Sequence, residues 1–286
     1  MIALADGTCV LCGAPQRPEF RKHAWTFARC GGCGLLSLQP LPDAATLAAH
    51  HDLSYRDGHY AVFAAAEDVR AAIAADRLDR LRPRLPPGRW LDVGCSTGAF
   101  LAAGAAAGMV VEGLELSGAA VERARARGLT VHHGEAETFE PSDRYAAITA
   151  FDVVEHLRDP GSFVRRAAGW LDPGGALALT VPDSASPTAR ALGRRWFYYA
   201  APDHVHYFTP ATVRRLLEAS GFEDVCVTAI TKPITLAYAL TQAALAWRRV
   251  APVAERITTL LPSRVGALRA RVPLGELLAI ARRRGG

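Results

Sequence analysis

The chain of 286 residues is 50% hydrophobic and 21% charged, an ordinary globular composition that excludes a largely disordered or fibrous polypeptide. That length accommodates one large α/β domain with a small appendage. The net charge of +5 is unevenly placed: residues 232–286 carry ten Lys/Arg against Glu255 and Glu276, while the preceding 231 residues carry 23 basic and 26 acidic side chains. An anionic partner would therefore be met by the C-terminal part, and nucleic acid is not an expected partner.

The first ten residues, MIALADGTCV, lack the basic patch and apolar stretch of a secretory signal, and no apolar run reaches the roughly 18 residues of a membrane span. The expected location is cytoplasmic, where a disulfide framework is disfavoured and cysteine spacing is read for metal or catalysis first. Cys9-x2-Cys12 is followed, after seventeen residues, by Cys30-x2-Cys33, the spacing of two knuckles that set four thiolates around zinc. Glycines at 13, 31, 32 and 34 supply the tight turns. An iron-sulfur cluster or an apo disulfide pair is the alternative. With four cysteine ligands no position stays open for catalysis, so the metal reads as a structural staple. Cys95 and Cys226 read as small core residues.

Four segments follow: residues 1–42 as a zinc ribbon, 43–88 as a helical linker or lid, 89–231 as a doubly wound core, and 232–286 as a basic helical insertion with a last strand. AVFAAAEDVRAAIAADRLDRLRP is periodic as one amphipathic helix stopped by Pro83, and Pro-Pro-Gly at 86–88 punctuates it. RWLDV, VVEGLEL and LTVHH then read as strands separated by the helices AFLAAGAAAG and AAVERARARG, a βαβαβ half. YAAITAFDVV, a helix near 161–171 and GALALTVP extend the parallel sheet. TPATVRRLLEASG is a helix, and FEDVCVTAI and GELLAIARR are the last strands of an expected seven-stranded, mostly parallel sheet.

In LDVGCSTGAF an apolar strand ends in Asp92 and turns through Gly94 and Gly98 into a helix, a loop where backbone approaches a ligand closely and a helix N-terminus favours a carboxylate. Glu115, at the end of the next strand, can accept both hydroxyls of a ribose. The order of LDVGCSTGAF, VEGLELS, FDVVEHLRDP, LDPGGALALTVP and HVHYFTPATVRRLLEASGF resembles the class I S-adenosylmethionine-dependent methyltransferases, in particular the branch with ubiquinone-biosynthesis O-methyltransferases. The resemblance implies that Asp92, Gly94, Ser96 and Gly98 hold the methionine end, Glu115 and Leu116 the ribose, Glu135 and Ala136 the adenine edge, and that Phe151 and Asp152 floor the pocket. Ser96 stands where relatives commonly have glycine. A nicotinamide dinucleotide fits less well, since GCSTG is not G-x-G-x-x-G and Asp92, directly before the first glycine, would repel a pyrophosphate.

Because the sulfonium is already a good methyl donor, such a site mainly positions an acceptor, with a base as helper. Glu155, His156 and His204 are the candidate catalytic residues, with His206 beside them. In some relatives the Glu-His pair binds a metal or serves the acceptor. Tyr55, His59, Tyr60, Trp196, Tyr198 and Tyr199 are candidates for a lid, packing being the alternative. A zinc ribbon ahead of such a core is similar to the arrangement in sugar C-methyltransferases, which carry a longer C-terminal domain. The expected acceptor is thus a small molecule, a sugar or a lipid-linked glycan, methylated on oxygen or carbon. Methylation of protein or RNA, or a scaffold that binds cofactor without turnover, is the alternative. In the tail, an apolar stretch followed by arginines is read as peripheral to an anionic membrane with Trp247 at the interface, or as a helical cover or dimer contact.

Overall fold

The fold is described from a computed structural model for residues 7–47, 66–247 and 250–285. Its larger sheet has seven strands in the order β10-β11-β8-β7-β4-β5-β6: β4 (Arg89–Val93), β5 (Val110–Glu115), β6 (Val131–His133), β7 (Tyr145–Phe151), β8 (Leu171–Pro182), β10 (Phe222–Thr235) and β11 (Arg269–Arg283). From β4 to β8 neighbours are parallel, and β11 runs antiparallel to both β8 and β10. The doubly wound, mostly parallel architecture expected from the alternating pattern is therefore present.

The two-residue period of the strands divides the core between the faces of the sheet. Leu91, Val93, Ile148, Ala150, Leu177 and Leu179 pack with Phe163, Val164 and Ala167 of α4 (Pro160–Trp170) and Val213, Leu216 and Leu217 of α6 (Pro210–Ala219). Their alternates Trp90, Ala147, Phe151, Ala176 and Ala178 face α1 (Glu67–Leu81), through Ala74, Leu78 and Leu81, and α2 (Ala99–Ala106), through Phe100. Asp92 and Thr149 share that second parity, which turns both toward the α1 side. A third helix, α3 (Gly118–Ala126), follows β5 and is capped by the Ser117 side chain. α6 is fixed at its start by a reciprocal Thr209–Thr212 capping box and a proline in its first turn.

The four N-terminal cysteines sit on a small antiparallel sheet, β1 (Gln16–Lys22), β2 (Trp25–Cys30) and β3 (Leu36–Gln39), whose fourth strand, β9 (His206–Tyr207), comes from the segment before α6. Leu36 pairs with Tyr207 and Ser37 with His206. Phe27, Leu36, Leu38, Trp196, Val205 and Tyr207 form one buried cluster across the junction. A short helix, α5 (Pro187–Leu192), precedes that segment.

β10 and β11 pair beyond the apolar segments read from the sequence, with Lys232 opposite Val272 and Thr235 opposite Arg269. The helical excursion between them is α7 (Leu236–Ala246), α8 (Ala251–Leu260) and a single turn, α9 (Ser263–Gly266). Among the described residues no helix is long and apolar enough to cross a membrane. One expected core residue is displaced: Cys95 is buried but Cys226 is exposed. β10 is an edge strand covered on one face, so the alternate positions along it face solvent.

Candidate functional site at the strand ends of the large sheet

Two buried carboxylates stand at adjacent strand ends. Asp92, 3% exposed, accepts the Thr149 hydroxyl at 2.6 Å, and burial pushes its carboxyl up to about 7. Glu115, 4% exposed, accepts the Ser96 amide on one oxygen and the Ser117 amide on the other, each at 2.8 Å. A carboxylate has about four lone-pair sites, so accepting these two amides does not by itself exclude a diol.

The turn between them is left-handed three times in five residues, at Gly94 (φ 71°), Ser96 (φ 52°) and Gly98 (φ 78°). A Cβ at Gly98 would lie 2.4 Å from Leu129 Cδ1, and one at Gly94 2.8 Å from Val153 Cγ2, so a side chain at either position would displace a neighbour as well as strain the backbone. Ser96 bears about 1–2 kcal/mol of left-handed strain, offset by the charge-assisted bond from its amide to Glu115. Gly98 is the N-cap of α2, which leaves unpaired amides of the first helical turn at the cradle. Leu116 is 46% exposed and its carbonyl accepts from His133 Nε2 at 3.0 Å. Glu135 is exposed, and Ala136 packs half-buried against the core.

Phe151 closes the α1 side, edge-on to Phe100 at 5.0 Å and beneath the Arg77 guanidinium at 4.3 Å. Asp152, at φ 57°, follows β7 in a half-buried ionic cluster. Its Oδ2 lies 2.7 Å from Arg77 and 3.5 Å from Lys232, and the Thr180 hydroxyl donates to Oδ1 at 3.0 Å. Burial alone would raise this carboxyl, but Lys232 and Arg77 together hold it well below the usual carboxylate range. Lys232 also pairs with Glu276, which accepts the Tyr198 hydroxyl. Sequence reasoning missed Arg77, Lys232 and Glu276, and only Glu276 carried a local signal: it is a carboxylate in the apolar run of β11, and such a residue is rarely buried without a partner.

Glu155 and His156 follow β7, and the expected third member, His204, meets them. One ligating atom from each of the three lies within 4.8 Å of the others, and the two imidazoles stand edge to face at 4.7 Å. Each of these rings puts Nδ1 on a carbonyl, His156 on Asp203 at 2.8 Å and His204 on Tyr198 at 2.9 Å. A carbonyl only accepts, so Nδ1 carries a proton in both rings. Burial lowers His204 to about 4, keeping it neutral at physiological pH. Glu155 is fully buried, both of its oxygens lack a hydrogen-bond partner among the described residues, and burial pushes its carboxyl well above the ordinary value. A neutral acid group buried without partners costs about 1–3 kcal/mol.

The aromatic residues divide. Trp196 and Tyr199 are buried in the cluster beneath the cysteine-bearing sheet; Tyr198 reaches the ionic cluster; Tyr55, His59 and Tyr60 lie outside the described residues. Trp247 donates its indole N–H to the Arg195 carbonyl at 3.0 Å and meets Phe197. Its ring thereby lies against residues 195 and 197.

The cysteines converge as their spacing requires. Cys9, Cys12, Cys30 and Cys33 place their sulfurs within 4.8 Å of one another, with Cys9 3.5 Å from Cys33 and Cys12 3.4 Å from Cys30. A tetrahedron with Zn–S bonds of about 2.3 Å has edges of about 3.8 Å, close to these separations. Amides of Leu11, Gly32 and Cys33 point at the Cys9 and Cys30 sulfurs, the donor set that stabilises thiolates.

The chain matches the sequence family described as a methyltransferase domain over residues 65–227. It is 28% identical over 167 residues to the ubiquinone biosynthesis O-methyltransferase of Aromatoleum aromaticum, covering 53% of this chain and 71% of that one. It is 34% identical over 178 residues to the trans-aconitate 2-methyltransferase of Methylobacterium radiotolerans, covering 59% and 67%. Among solved structures, a SAM-dependent methyltransferase from Archaeoglobus fulgidus has a TM-score of 0.54 at 20% identity, covering 79% of this chain and all of that one. The Haemonchus contortus phosphoethanolamine N-methyltransferase 2 in complex with S-adenosyl-L-methionine has a TM-score of 0.52 at 17% identity, covering 87% and 63%. At these identities the solved structures establish the fold.

Proposed function

The chain belongs to the methyltransferase-domain family, a SAM-dependent methyltransferase, and on that premise we propose that it methylates a small-molecule, sugar or lipid-linked glycan acceptor on oxygen or carbon. The observation that carries the cofactor assignment is the pair of buried carboxylates, Asp92 and Glu115, flanking a left-handed turn at the start of α2. Bound there, S-adenosylmethionine supplies an electrophilic sulfonium methyl. Asp92 and the turn from Gly94 through Ser96 to Gly98 hold the methionine end. Glu115, oriented by two amides, receives the ribose diol, with Leu116 beside it. Glu135 and Ala136 border the adenine, and Phe151 and Asp152 form the floor.

On the acceptor side, neutral His204 presents Nε2 as a hydrogen-bond acceptor with His156 beside it, and Glu155 offers a neutral carboxyl that donates to or accepts from an acceptor hydroxyl. Charge balance in the Arg77–Asp152–Lys232–Glu276 cluster keeps that side neutral overall, consistent with an acceptor bound by hydrogen bonds. Relatives named for ubiquinone biosynthesis and for trans-aconitate support a small-molecule acceptor. The four cysteines fit structural zinc, which fixes the small sheet and leaves no open coordination position.

Calorimetry with S-adenosylmethionine tests the reading. Glu115→Ala removes two charge-assisted hydrogen bonds, and binding weakens on the order of 100-fold or more. Unchanged affinity, or displacement of the cofactor by a nicotinamide dinucleotide, refutes the assignment.

A further inference from the structure

Solvent-exposed aliphatic side chains are concentrated in one place. Among the described residues ten large hydrophobics are exposed, and eight of them, Leu236, Leu245, Val250, Val253, Ile257, Leu260, Val265 and Leu268, lie in the excursion from α7 to the start of β11. Leu260, Val253 and Leu268 are the most exposed, at 72%, 62% and 62%.

The face they make has a definite geometry. Val250, Val253, Ile257 and Leu260 recur at intervals of three and four and align on one side of α8. That side is distinct from the one α8 turns to the protein, where Ala254 is buried and Thr258 half-buried. The helix thus has two apolar stripes, one packed and one open. Arg256 flanks the open stripe, and Arg264, Val265 and Leu268, also exposed, follow in the chain after Pro262. Glu255 projects from the opposite side of the helix and is the only acidic residue between Leu236 and Leu268. Among the described residues neither Arg256 nor Arg264 has an ion-pair partner, whereas Arg269 and Arg271, where β11 begins, are paired with Asp68 and Asp76 of α1.

We propose that this face docks on an anionic lipid surface, with Val253, Ile257, Leu260 and Leu268 entering the interfacial layer and Arg256 and Arg264 meeting the head groups. Charge complementarity selects this occupant: unpaired arginines border an aliphatic stripe from which acidic side chains are absent, the pattern of a helix lying in an anionic interface. Trp247 takes no part, since its ring is held by Arg195 and Phe197. The docking is independent of the methyl-transfer reading, because none of these residues belongs to the cofactor or acceptor site.

Flotation of the full chain with vesicles tests it. The protein is expected to float with phosphatidylglycerol–phosphatidylcholine vesicles and to be released as salt is raised. The exposed triple variant Val253→Ser, Ile257→Ser, Leu260→Ser should bind on the order of 100-fold more weakly, and Arg256→Gln with Arg264→Gln roughly 30-fold more weakly. Cofactor binding by calorimetry should be the same in all three proteins, which shows that each is folded and separates this test from that of the active site. Absence of flotation, equal binding to pure phosphatidylcholine, or a dimer in sedimentation that the triple variant dissolves would overturn the proposal, the last by making the face a contact between two copies.

Discussion

Ser37 in β3 donates its hydroxyl to His206 Nδ1 in β9 at 2.9 Å, a buried bond that spans 169 residues of sequence. The roles follow from the other side of the ring, where Nε2 faces the Arg158 carbonyl at 3.4 Å and must carry the proton. His206 is therefore locked in the opposite tautomer to His204, two residues earlier. One histidine of the HVH motif fastens the cysteine-bearing sheet to the core, and the other turns its lone pair toward Glu155 and His156.

Because β9 completes the small sheet, metal loss should be felt by the whole fold. The native protein is expected to hold about one zinc per chain, lost in Cys30→Ser. Chelation should lower the melting temperature of the single cooperative transition by on the order of 5 °C or more. Metal-free native protein, or a melt unaltered by chelator, would end the zinc assignment.

The buried His206 predicts a pH signature. Burial lowers its pKa to about 4 from the ordinary 6.5, so between those values the unfolded chain binds the extra proton and stability falls as pH falls. Replacing it by Asn removes that linkage. In urea titrations at several pH values, the stability of the native protein relative to His206→Asn should decline by up to about 1.4 kcal/mol per pH unit as pH drops through this window. A pH-independent difference would show that the histidine does not titrate there.

Glu155 carries an opposition between stability and function. Its carboxyl lacks partners among the described residues, so Glu155→Met should raise stability by about 1–3 kcal/mol while lowering kcat at least about tenfold. A less stable variant, or one with unaltered turnover, would show that Glu155 has a structural partner or no part in the reaction.

Much of the architecture was legible because it is written in local terms. Alternating strands and helices, the left-handed glycines at 94 and 98 and the acids closing two successive strands all lie within short windows, where steric and hydrophobic periodicity act. The same is true of the paired CxxC motifs, whose spacing fixes knuckle geometry before any tertiary contact is made. The ends of β10 and β11 were less legible: Lys232, Pro233, Arg269 and Arg271 are poor strand residues taken singly, and only mutual pairing extends the ribbon through them.

What the sequence by itself determined is the fold class, the left-handed glycine turn between two acids and the four-thiol cluster, since each depends on residues close in the chain and on backbone conformations that few residue types adopt. Only the tertiary structure decided that His206 serves the small sheet while His204 faces Glu155, that Arg77, Lys232 and Glu276 close around Asp152, and that one stripe of α8 stays open to solvent. Those relations join residues up to two hundred positions apart. Burial, tautomer and ion pairing are set by what surrounds a side chain, and a linear pattern does not encode its surroundings.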